Sequence, residues 1–181
     1  MKKTILAVLF VLLWCALPVW AADLKVGDKV ADFKLGAALG DEQYSLSSPE
    51  FAGKVVYLVY ASTSSSDDND HVSEALQANK DISRLKNEKK YIGLGIANQK
   101  DSPVPNFIIK RVAKSKQEKT GAIVLLDADF TIGNLWGVPP KIATSILIDK
   151  QRIVRYIYSG KTPAENIPQL VDLIKRYSEE K

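Results

Sequence analysis

The chain has 181 residues, 46% of them apolar and 25% charged, which is enough for one domain with a sizeable core and ordinary for a globular protein. Its formal net charge is +4, and without the leader lysines Lys2 and Lys3 the count falls to 23 basic against 21 acidic residues, a balance that excludes polyanion binding driven by net charge. The only cysteine is Cys15 and the only methionine is Met1; both fall in that leader, so the mature chain has no thiolate or thioether for a soft-metal site or a Cys/His zinc site.

The N-terminus reads as an address. Lys2 and Lys3 precede an apolar run from Ile5 to Leu17, then Pro18 and the small-residue pattern Val19, Trp20, Ala21, which together predict a secretory signal cut after Ala21. A single mature domain of 160 residues, 22–181, would follow. An uncleaved anchor competes with this reading, but the run is short and a cleavage pattern follows it. Bulky Trp14 beside Cys15 argues against lipid attachment. Export to a periplasm without stable membrane insertion is the expectation.

Val30 and Phe33 suggest an edge strand or extended arm, Gly36–Gly40 a loop, and Tyr44, Leu46 and Phe51 a short apolar lead-in. Val55–Tyr60 is an unbroken apolar run without polar alternation, the pattern of a central strand covered on both faces. It stops at Ala61 and delivers Ser62, Thr63, Ser64, Ser65, Ser66, Asp67, Asp68, Asn69 and Asp70. Hydroxyls followed by acids predict a helix N-terminus, with capping pairs such as Ser64 with Asp67 or Ser65 with Asp68.

Beyond that turn, Val72, Ala75, Ala78, Ile82 and Leu85 recur at helical spacing and predict one helix of about four turns. Tyr91–Ile96 is a second buried strand whose two glycines leave room for close approach of a packed helix. Phe107–Val112 begins a helix with a basic outer face, ended by Gly121. The interrupted basic stretches Lys86–Lys90 and Lys110–Lys119 are read as solvated helix faces, so no nucleic-acid partner is expected. Ala122–Leu126 is a third strand, and Phe130–Trp136 a short helix stopped by Gly137. Ser145–Ile148 and Ile153–Tyr158 read as a hairpin. Thr162–Glu165 forms a capping box, but Pro168 predicts either a separate first turn or a helix start near Ile167.

This order resembles the thioredoxin fold in its redoxin-like form, an α/β three-layer sandwich with a central mixed sheet flanked by helices. Phe51–Ser62, FAGKVVYLVYAS, looks like the strand leading to the redox motif of that family, and Leu135–Val154 looks like its loop and hairpin. Leu125–Val138, LLDADFTIGNLWGV, together with the exported state and the cysteine-free turn, is similar to the periplasmic YtfJ family. The resemblance places Ser64 where the nucleophilic cysteine would stand, Asp67 at the resolving cysteine, and Ala143 at the family's cis-proline. A non-proline cis bond is costly, so a trans peptide is expected at Ala143.

A serine hydroxyl stays protonated and forms no disulfide. Thiol exchange and peroxidase chemistry are therefore excluded for the mature chain by composition. A hydrolytic triad of Ser64, Ser65 or Ser66 with His71 and an acid has the residue types but poor spacing, and the acids lie on a helix start rather than in a calcium loop. No cofactor, metal or catalytic residue is expected. The expected role is a redox-inactive binding or accessory module with a periplasmic protein partner, contacted through Thr63, Ser64, Ser65, Ser66, Asp67, Trp136 and the loop reaching Ala143; the alternatives are a Ser/His-dependent hydrolase at the Ser64–His71 turn and a structural domain with no ligand.

Overall fold

A computed structural model describes residues 23–100 and 102–180; the leader, its cleavage point and Cys15 lie outside them. In chain order the strands are Leu35–Ala37 (β1), Gln43–Tyr44 (β2), Val55–Ser62 (β3), Tyr91–Asn98 (β4), Ile123–Asp127 (β5), Thr144–Ile148 (β6) and Val154–Ser159 (β7). They form one seven-stranded sheet in the order β2-β1-β5-β4-β3-β6-β7. The strand without polar alternation sits near its middle. β3 runs parallel to β4, and β4 parallel to β5, whereas β6 is antiparallel to β3 and β7 to β6. The sheet is mixed, as the hairpin required.

The helices are Asp70–Ala78 (α1), Lys80–Asn87 (α2), Asn106–Thr120 (α3), Thr131–Trp136 (α4) and Ile167–Glu179 (α5). Alternate residues of β3 feed opposite layers, which is why both of its faces must be apolar. Val55 and Tyr57 pack with Val72, Leu76, Ile82, Leu85, Leu170 and Ile174 from α1, α2 and α5. Val56, Leu58 and Tyr60 pack on the other face with Phe33, Phe51, Ile132 and Trp136. A turn of 3-10 helix at Ala164–Asn166 precedes α5, with Pro168 in the first turn of α5, where its missing amide costs little.

Two expectations are corrected. The single helix over Val72–Leu85 is two helices, because Asn79 adopts an extended backbone (φ −76°, ψ 124°) and its side chain accepts from the amides of Asp81 and Ile82. An asparagine oxygen bonded to local amides competes with the helix and restarts it. The stretch read as a loop from Gly36 begins as strand: Leu35–Ala37 pairs antiparallel with both β2 and β5.

α3 is the least embedded long helix. Only Ile109 and Ala113 of it are buried, while Phe107 is 64% and Val112 42% exposed. Among the described residues no helix is long and apolar enough to cross a membrane.

Candidate functional site

β3 ends at Ser62, and residues 63–69 make a turn before α1. Its hydroxyls bond to one another. Ser65 is buried; its Oγ accepts from the Ser62 amide at 3.2 Å and lies 3.1 Å from Ser62 Oγ. Ser62 Oγ is 2.9 Å from Ser64 Oγ and donates to the Lys141 carbonyl at 3.5 Å. Thr63 Oγ1 lies 3.3 Å from Ser102 Oγ, and Ser66 Oγ donates to Asp67 at 3.1 Å. The surface side chains of this corner are Ser64 and Asp67, with Ile142 of the facing loop 48% exposed.

The expected Ser/Asp capping is corrected: the N-cap of α1 is Asn69, and its side chain caps nothing. Asn69 is buried and faces the β7–α5 connection instead. Its Oδ1 accepts from the Thr162 amide at 2.8 Å and its Nδ2 donates to the Gly160 carbonyl at 3.2 Å. His71 Nε2 adds a third tie, donating to the Thr162 carbonyl at 2.8 Å. Removing a buried two-bond partner strands an amide and a carbonyl. Asn69→Ala is expected to cost about 2 kcal/mol and to raise hydrogen exchange at the Thr162 amide by more than at the amides of β4.

His71 is thus committed to a backbone carbonyl, and among the described residues no hydrogen bond joins it to a serine hydroxyl. The residue types of a triad are near in sequence and apart in function. Among the described residues no three His, Cys, Asp or Glu side chains gather as metal ligands.

Two members of the expected contact surface are placed elsewhere. Trp136 is 1% exposed; its ring meets Phe33 edge-on at 5.9 Å between centroids, and Nε1 donates to the Ala31 carbonyl at 3.0 Å. It is core, because an indole needs one polar partner to be buried whole and the N-terminal arm supplies it. Ala143 is fully buried, and its carbonyl accepts from the Gly160 amide at 2.7 Å. No cis peptide occurs among the described residues, so the Ala143 peptide is trans. Thr63, Ser64, Ser65, Ser66 and Asp67 do share one turn, with Ser65 turned inward.

Sequence reasoning missed the groups that position this corner. Asn98, at the end of β4, donates to the Pro140 carbonyl at 2.9 Å and so fixes the loop beside Ser62. Asp127 is buried at the end of β5, accepts from the Thr131 and Ile132 amides at 2.6 and 2.9 Å, and receives the Tyr60 hydroxyl at 3.3 Å. Burial, and then the adjacent Asp127, push the Tyr60 hydroxyl far above the ordinary phenol range, so it remains a donor. An acid four residues before a short helix was the available signal.

Ion pairs tie α1 to α3 next to the turn. Lys116 Nζ is 3.0 Å from Asp67 and 2.6 Å from Asp70, and Lys119 pairs with Glu74. The Lys116 hydrogen bond, then that from Ser66, hold Asp67 below the usual carboxylate range, and Lys119 does the same for Glu74. Groups with folded-state values lowered contribute above the unfolded value of about 4 and lose that contribution as pH falls through the folded one. Below about pH 4 the amides of α3 are therefore expected to lose protection against hydrogen exchange, corrected for intrinsic rate, before those of β3; simultaneous loss would contradict this.

Comparison with known proteins matches residues 41–177 to a family described as "Bacterial protein of unknown function (YtfJ_HI0045)". An uncharacterized protein of Haemophilus influenzae is 26% identical over 185 residues, covering 96% of this chain and 97% of that one. Among solved structures, peroxidoxin BcpB from Mycobacterium tuberculosis superposes with a TM-score of 0.60 at 21% identity, covering 87% of this chain and 99% of that one. The exposed lipoprotein thioredoxin Etrx1 from Streptococcus pneumoniae gives 0.59 at 21%, covering 79% and 99%. A secreted thiol-disulfide isomerase from Corynebacterium glutamicum gives 0.57 at 22%, covering 83% and 86%. These likenesses establish a thioredoxin-like fold.

Proposed function

Because the chain belongs to the YtfJ_HI0045 family of bacterial proteins of unknown function and has a thioredoxin-like fold, we propose that it is an exported, redox-inactive member of that fold acting as a periplasmic binding or accessory module. The observation that carries the reading is the corner after β3. Where the resemblance puts two thiols stand Ser64 and Asp67, and the Ser62 hydroxyl lies 2.9 Å from that of Ser64 and 3.1 Å from that of Ser65. A serine hydroxyl held among other hydroxyls and carbonyls, with no base against it among the described residues, has neither the acidity nor the sulfur that exchange needs. One cysteine in the whole sequence also cannot close an intrachain disulfide. Export rests on the leader pattern, with cleavage after Ala21.

What remains at the corner is a surface: Ser64 and Asp67 from the turn, and Lys141 and Ile142 from the loop held by Asn98. A loop fixed by a buried side chain presents its exposed residues to a partner without the cost of ordering itself first. The test is site-specific photocrosslinking in the periplasm. Photoreactive residues at Ser64 and at Ile142 should trap the same partner, and one at exposed Asp41 should not. Identical adducts from all three positions, or none from Ser64 and Ile142, would remove this surface.

A further inference from the structure

The helix-covered face of β4 carries almost no side chain. Tyr91, Gly93, Gly95 and Ala97 share that face, and the last three offer nothing larger than a methyl group. Gly95 lies in register between Val59 of β3 and Val124 of β5. The two glycines leave room for a closely packed helix, but α3 does not descend into the space. A cleft of about 330 Å³ lies there instead, floored by β3 and β4 and walled by α1, α2 and α3. That volume is within the range of small-molecule sites.

Glycine inside a central strand weakens it and commonly marks a place where a backbone or ligand comes close. No backbone of the protein demands it at position 95. A Cβ built there meets the Val124 side chain at 3.5 and 3.8 Å and the Ile123 carbonyl oxygen at 3.9 Å, all ordinary contacts. The missing side chain therefore serves the space above it. The walls are mostly apolar, with Leu76, Ile82, Ile109 and Ala113 buried and Ile108 and Val112 half in water at the opening.

The rim carries three lysines, and they are not equivalent. Lys116 and Lys119 are neutralised by Asp67, Asp70 and Glu74 of α1. Lys86 lines the cleft from α2, and its recorded partner is the Thr120 carbonyl at 3.0 Å; among the described residues no carboxylate pairs with it. A half-buried ammonium with one neutral acceptor beside an apolar slot complements an anion with a hydrocarbon tail.

The geometry points to a binding site for a single-chain aliphatic carboxylate, of the fatty-acid class, with its chain over Gly93 and Gly95 and its carboxylate at Lys86. This site adjoins the corner after β3, whose Ser62, Thr63 and Ser66 line one end of the cleft, but its apolar floor and Lys86 lie away from Ser64 and Ile142, so it stands whether or not that corner meets a protein.

The probes are dodecanoate and its uncharged analogue dodecanol, titrated below micelle formation into the full-length mature protein, with amide chemical shifts as the readout. Dodecanoate should bind and shift Gly93, Gly95 and the amides of α3. Gly95→Val fills the floor while keeping an allowed strand residue, and should abolish those shifts; Val112→Ser, a change at a half-exposed position, should weaken them without risk to the core. Lys86→Gln should weaken dodecanoate roughly tenfold, as loss of one partly desolvated ion pair does, and leave dodecanol unchanged. Absence of binding, or binding that Gly95→Val and Val112→Ser both leave intact, would overturn the site. Equal loss of both probes in Lys86→Gln would overturn the carboxylate assignment. Binding to phosphatidylglycerol vesicles with no uptake of dodecanoate would overturn it in favour of a membrane-facing α3.

Discussion

Replacing Trp136 by alanine is expected to lower the unfolding free energy by about 3–5 kcal/mol, the range of large aromatic deletions in cores. The side chain is among the largest that are fully buried, touches Phe33 edge-on and gives its one polar atom to the Ala31 carbonyl. Alanine would open a void between α4 and the N-terminal arm and leave that carbonyl without its donor. Trp136→Phe keeps an aromatic ring but loses the indole donor and part of the buried ring volume, so an intermediate loss of about 1–3 kcal/mol is expected. Urea unfolding of the three proteins checks the order. A Trp136→Ala loss below 1 kcal/mol would mean that the ring is not core, and would return it to the surface beside the turn. Ser64→Ala, at an exposed position, should stay within about 0.5 kcal/mol of the parent.

Replacing Asp127 by alanine should be the next largest effect, about 2–4 kcal/mol. One carboxyl group satisfies the first two amides of α4 and the hydroxyl of Tyr60; all three would lose this partner, and the Ile132 amide and the Tyr60 hydroxyl are buried. α4 has only six residues, too few to stand without a cap. Loss of Asp127 should therefore also disorder the turn that presents Trp136 to the core. Combined with Trp136→Ala, the deficit should fall short of the sum, because the first change already frees the second side chain. Full additivity would show that the cap and the ring act independently.

Much of the scaffold could be read directly from residues. Val55–Tyr60 had to be central because nothing in it tolerates water. Gly121 and Gly137 end α3 and α4 in the left-handed conformation (φ 61° and 66°), the region glycine enters without strain. Pro168 marked the true start of α5. The break at Asn79 was hidden because Val72, Ala75, Ala78, Ile82 and Leu85 keep three- and four-residue steps across it, although the residues buried are Val72 and Leu76 before the break and Ile82 and Leu85 after it. β1 was illegible at three residues with a glycine at its centre.

The candidate site was legible only in part. The Ser/Asp turn was located correctly, yet hydroxyls and acids that look like caps bond to one another and to Lys116, while the uncharged Asn69 does the anchoring. A sequence cannot say which way Trp136 turns when both core and cleft would accept it. Nor can it say whether Gly93 and Gly95 make room for a helix or for a void, since that depends on how deeply α3 settles.

The most direct measurement is of turnover by the purified protein with its leader removed: reduction of insulin disulfides in the presence of a dithiol, and consumption of hydrogen peroxide. A thiol-free scaffold should give rates equal to the buffer control at every protein concentration. A rate that rises in proportion to protein for either substrate would contradict it.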